Sequence, residues 1–401
     1  MIKLIKRLVL FSIATLIAGG IWGYKNGMTI DNYQAFLSET FSTNPQLAST
    51  PDIAIQRTKK SSTSNTEKKN LTNQELQALL ENPFSAIDTY ARKAPASSTT
   101  AIETLANYLS KKATTDLEKA RAIYSWMTDN ISYDDDAFNS GNYPVYSAEY
   151  VLQNRKAVCE GYSNLFVALG EEMDLEVEKI VGYSKGYNYV PGKQLKESDH
   201  AWNAVKINGN WKIMDATWGS GSGENVNGKL VSKKEFDNYW FDVDPYEAIF
   251  NHFPEDKENA FIQPLISLNQ YEQMPLIEKG YFELGFNGKE TFLSVQDNPN
   301  LTFPKIYSFE TPIKLIAAPK FKELKMEESY YFECYIPKGL NVAAISVNNE
   351  WTHFKKTDGK FTLDFAPTET GVLKIAVQHE DSGEQFSTIL KYIVVRNKGT
   401  M

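Results

Sequence analysis

Cysteine and histidine are scarce in this 401-residue chain, with two of the first and four of the second. Two cysteines allow at most one disulfide, and the lack of any CxxC pair excludes both a disulfide scaffold and a zinc-ribbon spacing. The four histidines are scattered and form no ligand pattern along the chain, so no metal and no organic cofactor is expected. Positive charge is also in deficit. With 42 Lys and Arg against 50 Asp and Glu the net charge is -8, the wrong sign for a nucleic-acid partner. The basic pairs Lys59-Lys60 and Lys68-Lys69 are isolated among Ser and Thr. No convincing internal repeat is present.

What is there is enough apolar matter for real cores, 42% hydrophobic and 13% aromatic residues, over a length that suggests two or three domains. At the N-terminus, Lys3, Lys6 and Arg7 precede an apolar stretch from Leu8 to Trp22, and Ala18-Gly19-Gly20 offers small residues for cleavage. Residues 1–27 therefore read as a signal peptide or a retained membrane anchor, and the rest of the chain as extracytoplasmic: secreted, periplasmic or membrane-anchored. Residues 28–73, with Ser61-Ser62-Thr63-Ser64-Asn65-Thr66 at their centre, carry too few large apolar groups to order themselves and read as a flexible polar linker.

Helical periodicity follows. Leu117, Ala120, Ile123, Tyr124 and Met127 share one face of a helix that starts at Asp116, a short helix runs from Ser147 to Gln153, and Tyr162, Leu165, Phe166, Leu169 and Met173 follow the i, i+3, i+4, i+7 rule. Strand patterns then take over in Leu175 to Tyr183 and His200 to Trp218, with Asn208-Gly209 as a two-residue hairpin turn. Helices before strands predict an α+β domain, helices packed on an antiparallel sheet, over 74–280. Residues 225–280 read as irregular and aromatic-rich. Short alternating runs separated by Asn287-Gly288, Asp358-Gly359 and Glu369-Thr370-Gly371 predict an Ig-like β-sandwich over 281–401.

One cysteine stands where chemistry is expected. Cys159 begins the apolar helix after Val158, and a helix N-terminus favours a thiolate, as do cations such as Arg155 and Lys156. His200 would take the thiol proton and later protonate a leaving amine, and Asp215 would orient and stabilise the imidazolium. If Asn208 and Gly209 are the two loop residues, paired numbers sum to 417 and His200 lies opposite Thr217. Asp215 is then on the same sheet face, diagonal to His200; a three-residue loop would move it to the other face. Cys334 reads as a small buried hydrophobe. His252, His353 and His379 have no comparable partners and read as surface or capping residues. The backbone N–H of Cys159 is a natural oxyanion donor, and the indole of Trp126 is a candidate for the second.

At Asp116 to Trp126, Ile131-Ser132-Tyr133-Asp134, Ala157 to Ser163, Asp199 to Asn203 and Asp215 to Gly219, the chain resembles the transglutaminase-like core of the papain-like superfamily. The stretches Tyr239-Trp240-Phe241, Phe250 to Asp256 and Pro264 to Ser267 are similar to the kyphoscoliosis peptidase group. The resemblance implies a Cys159, His200, Asp215 triad, and Gln153, six residues before the cysteine, resembles the oxyanion glutamine of papain-like proteases. It implies a cysteine-dependent acyl-transfer enzyme that takes peptide or glutamine amides through a thioester, a peptidase first. Protein-glutamine transglutaminase or deamidase is the alternative, and so is a non-catalytic cell-envelope adaptor of the same fold. The expected partner is a protein or peptide substrate, with the membrane contacted only through an uncleaved N-terminal segment.

Overall fold

Thr115 accepts a hydrogen bond from the Glu118 amide while the Glu118 carboxylate accepts one from the Thr115 amide, a capping box that starts the long helix at Asp116. This is a computed structural model that describes residues 81–397 apart from 308–312, 337–339, 349, 358–359 and 380–385. The expected signal or anchor over 1–27 and the linker over 28–73 lie outside the described residues. Helices α1 (Ser85–Arg92), α2 (Ile102–Ser110) and α3 (Asp116–Asn130) come first. Arg121 of α3 grips Asp88 of α1 through two hydrogen bonds of 2.7 and 2.8 Å, pairing two buried charges.

Next come β1 (Ser132–Tyr133), α4 (Asp135–Ser140), α5 (Ala148–Asn154), β2 (Lys156–Ala157) and α6 (Cys159–Glu172). The predicted helices at Asp116, Ser147 and Val158 are all present. On α6 the expected inward residues Tyr162, Leu165, Phe166, Leu169 and Met173 are buried.

The turn chemistry of Asn208-Gly209 sets the sheet. Both residues have positive φ, 49° and 82°, as a type I′ turn requires, and they join β4 (His200–Ile207) to β5 (Asn210–Met214). Pairs from Ile207↔Asn210 to Asn203↔Met214 keep the expected register, and the pairing ends just before Asp215. β3 (Val177–Ser184) lines the other side of β4. Residues 225–280 are more regular than expected. They contain part of a hairpin, β6 (Gly221–Val226) with β7 (Lys229–Lys234), then β8 (Phe241–Val243), α7 (Pro245–Ala248), β9 (His252–Pro254) and α8 (Leu268–Gln273). The reason is long-range pairing: strands of three residues show no periodicity, and β8 and β9 exist because they close the edges of the five-stranded sheet β8-β5-β4-β3-β9.

The C-terminal part does not begin with strands. α9 (Lys279–Glu283) and α10 (Gly288–Asp297) occupy its start, and Asn287, read as part of a turn, caps α10 by accepting from the Glu290 amide at 2.9 Å. Strands β10 (Lys305–Ile306), β11 (Lys314–Ala317), β12 (Glu323–Lys325), β13 (Tyr330–Tyr335), β14 (Leu340–Val347), β15 (Glu350–His353), β16 (Lys355–Thr357), β17 (Lys360–Phe365), β18 (Gly371–His379) and β19 (Phe386–Val395) follow. They form a sheet ordered β10-β19-β18-β14-β15 with β12 beside β19, and a second one ordered β11-β13-β17-β16. Two hydrophobic clusters divide the described residues: one runs from Ile87 to Ala248, the other from Ile249 to Val394. Among the described residues no helix is long and apolar enough to cross a membrane.

Candidate active site

Cys159 is the first residue of α6, partly exposed and free. Its position is fixed from three sides. β1 and β2 form a parallel bridge with Tyr133 opposite Ala157, the Asp134 amide donates to the Ala157 carbonyl at 2.9 Å, and Tyr162 donates its hydroxyl to the Ile131 carbonyl at 2.6 Å. Gly161 lets α6 close on α5, because a Cβ there would press on Ala157, Tyr146 and Val151 at 2.6 to 2.9 Å. At the first position of a helix the Cys159 amide has no intrahelical acceptor, so it is free to donate to a ligand.

The thiol and His200 line the same cleft, and the thiol is among the groups that favour the charged imidazole. His200 Nε2 is 2.7 Å from Asp215 Oδ2, which leaves Nδ1 for the sulfur. Asp215 is fully buried. Its Oδ1 accepts from the amides of Thr217 and Trp218 at 2.8 and 2.9 Å, and its own amide donates to the Trp240 carbonyl at 2.9 Å. Burial opposes charge on both partners. For Asp215 the positive charge and hydrogen bond of His200, then the hydrogen bond of His252, outweigh burial and hold the carboxyl far below the usual carboxylate range. For His200 the charge and hydrogen bond of Asp215, followed by the Cys159 contact, outweigh burial and push the imidazolium up to about 10. The arrangement can carry a thiolate beside an imidazolium whose counter-ion is buried.

The structure thus brings together Cys159, His200 and Asp215, and corrects four other expectations. Gln153 is exposed at the end of α5 and does not line the Cys159 cleft. Trp126 is wholly buried in α3, with the Arg155 guanidinium 4.6 Å above its ring, and does not line it either. Arg155 and Lys156 are committed elsewhere: the first to that ring, the second to Asp134 and Asp136 at 3.1 and 2.8 Å. One of the donors that do line the cleft is Tyr133, whose neighbour in the β1–β2 bridge is two residues from the cysteine. Burial first, then charge at Cys159, push its phenol well above the ordinary value, so it keeps its proton and can donate it.

The fourth correction is His252. Instead of a surface or capping residue it is a buried partner of the same carboxylate, its Nε2 3.0 Å from Asp215 Oδ2. The sheet explains the meeting. His200 on β4 pairs with Gly182, and His252 on β9 pairs with Ser184, two residues along the intervening strand β3, so both imidazoles rise on one face. Gly182, opposite His200 on β3, has no room for a Cβ, which would run into the Phe253 carbonyl and the Trp202 ring. The only hint in the sequence was the Phe250 to Asp256 stretch, whose resemblance assigned His252 no role. His353 is exposed, as expected, and the His379 side chain lies outside the described residues.

His200, Asp215 and His252, scattered in sequence, offer ligand atoms within 4.8 Å of one another. A tetrahedral ion with bonds of about 2.0–2.1 Å holds its ligands roughly 3.3 Å apart. The observed 2.7 and 3.0 Å are hydrogen-bond separations, so the cluster fits shared protons better than an ion.

The cleft over Cys159 measures about 780 Å³. Tyr133, Phe138, Tyr187 and Leu230 give it an apolar wall, and Ser184, Thr217 and Ser220 a polar one.

Residues 103–216 match the transglutaminase-like superfamily. Kyphoscoliosis peptidase of Homo sapiens is 32% identical over 203 residues, covering 50% of this chain and 30% of that protein. Hillarin of Drosophila melanogaster is 31% identical and covers 46% of this chain and 23% of that protein. Cytokinesis protein 3 of Schizosaccharomyces pombe is 28% identical, covering 45% and 20%. The chain spans less than a third of the length of these relatives. Cys159, His200 and Asp215 fall inside the matched 103–216, and His252 falls outside it.

Proposed function

We propose that this chain, which carries a transglutaminase-like domain, is a cysteine-dependent acyl-transfer enzyme that hydrolyses peptide amides, with Cys159 as nucleophile, His200 as general acid and base, and Asp215 as orienting carboxylate. One observation carries the reading: a partly exposed thiol at a helix start shares an open cleft with a histidine locked to a fully buried carboxylate. The thiolate attacks the amide carbon, and the resulting oxyanion is met by the Cys159 amide and the Tyr133 hydroxyl. The C–N bond breaks as His200 gives its proton to the leaving amine, leaving a thioester. His200 then takes a proton from water, whose oxygen displaces the sulfur and restores the thiolate.

Water is the favoured acceptor because the cleft is open and partly polar; cross-linking needs a site that excludes water in favour of an amine. Extracytoplasmic action is proposed from the Lys3 to Trp22 segment alone. Incubation with a casein-like protein, with and without a labelled primary amine, followed by mass spectrometry, separates cleavage, glutamine deamidation and amine incorporation. New peptide termini that vanish in Cys159→Ala are the expected result. Amine incorporation would make the chain a transglutaminase, and identical products from parent and variant would leave the adaptor reading.

A further inference from the structure

We propose that His252 is a positioning residue of this site: a neutral imidazole whose Nε2–H anchors the Asp215 carboxylate, so that positive charge is confined to His200. This rests on the reading of Cys159 and His200 given above. Two chemically identical rings donate to one oxygen, Asp215 Oδ2, at 2.7 and 3.0 Å. Because a carboxylate only accepts, Nε2 must carry the proton on both. What differs is the second nitrogen. On His200 it meets the thiol, which as a thiolate stabilises a second proton. On His252 the buried Nδ1 has no hydrogen-bond partner, so a proton added there would be an unpaired buried charge.

The surroundings of His252 reinforce that asymmetry. Its ring packs against Trp218, Trp202 and Trp240 with centroids 4.4, 4.9 and 5.2 Å away, and against His200 at 5.3 Å. The ionisable groups that act on it are Asp215 and, more remotely, Asp199, both favouring the cation, and His200, whose positive charge opposes it. Burial is the largest influence and keeps the pKa of His252 below the ordinary imidazole value. Two imidazolium ions on one carboxylate oxygen would repel, so only one ring can hold the charge. The fold chooses the ring that faces the nucleophile. His252 also fixes the second lone pair of Oδ2, as the amides of Thr217 and Trp218 fix Oδ1. The carboxylate is left no orientation except the one that serves His200.

The test is the rate of Cys159 alkylation by iodoacetamide as a function of pH, in the parent, His252→Leu and His252→Gln. The leucine variant removes the donor, and should react on the order of tenfold more slowly at neutral pH, with its alkaline limb displaced toward ordinary imidazole values. The glutamine variant restores a neutral N–H donor and should stay within about threefold of the parent, well inside the roughly tenfold or more that one hydrogen bond to a charged group is worth. A leucine variant that matches the parent overturns the proposal. So does a glutamine variant as slow as the leucine one, since that would mean the ring acts only by filling space. NMR of the imidazole nitrogens in the parent needs no variant to fold. It should show His252 as the neutral Nε2–H tautomer while His200 is cationic, and a cationic His252 at neutral pH also overturns the proposal. A parent whose Cys159 is no more reactive than a free thiol would instead count against the proposed function, and the NMR result would still decide the state of His252.

Discussion

The two cysteines of this chain occupy regions that treat a thiol in opposite ways. Cys334 lies on β13 between Leu315 and Phe361, is 1% exposed, and has its thiol pushed up to about 12, by burial first and the charge of Glu333 second. It is a small hydrophobic group that fills space between strands. Cys159 heads a helix at the floor of an open cleft, against an imidazole with a buried counter-ion. The two sites differ in the packing around the sulfur. A sheet interior suppresses the thiolate, and a helix start facing a cleft with a charged partner favours it.

The sharpest way to break that contrast is to exchange the two sites. Cys159→Ala should abolish iodoacetamide labelling at the cleft and lower amide turnover by roughly a thousandfold or more, while Cys334→Ala leaves both unchanged. Equal labelling of the two thiols in the folded parent would remove the distinction. Asp215→Asn should cost about as much, roughly a thousandfold in kcat, because an amide cannot stabilise the imidazolium and can present a donor to it. Tyr133→Phe keeps the ring and deletes the hydroxyl. A fall of about a hundredfold in kcat with little change in KM would place the phenol on the oxyanion, and an unchanged kcat would take it out of the chemistry.

A milder test uses pH. His200 titrates at 6.5 when free and at about 10 when folded, so its contribution to stability is complete below 6.5 and is lost as pH rises through about 10. Asp215 works in reverse: its contribution is present above its ordinary value of 3.8 and lost only as pH falls through its much lower folded value. Melting temperatures of His200→Gln should lack the alkaline loss that the parent shows. Least affected of all should be Cys334→Ala, with a stability loss of about 1 kcal/mol by chemical denaturation and no change in turnover.

Local signals made much of the site legible. The apolar period after Val158 marks Cys159 as a helix start, and Asn208-Gly209 sets a register that holds as far as Met214; the expected pairing of His200 with Thr217 does not form, and Asp215 meets His200 from just beyond the end of β5. Other features were hidden because they depend on contacts across the fold. Gln153 has a suggestive spacing, yet the left-handed turn at Arg155 (φ 57°) and the β1–β2 bridge leave it outside the cleft and bring Tyr133 in. The strands carrying Phe241 and His252 are too short to show a period. Helices at Lys279 and Gly288 occupy a stretch whose Asn287-Gly288 reads as a turn between strands and proved to be a helix cap.

By itself the sequence determined which side chain could be the nucleophile, which histidine and carboxylate accompany it, and the succession of helices and strands around them, since these depend on period, caps and turn chemistry over a few residues. Only the tertiary structure decided that a second histidine shares the carboxylate and that Arg155 and Lys156 are paired away from the thiol. The physical reason is pairing at a distance: β9 reaches β3 through backbone hydrogen bonds that any residues could make, and the side chains such bonds bring together leave no mark on their neighbours in sequence.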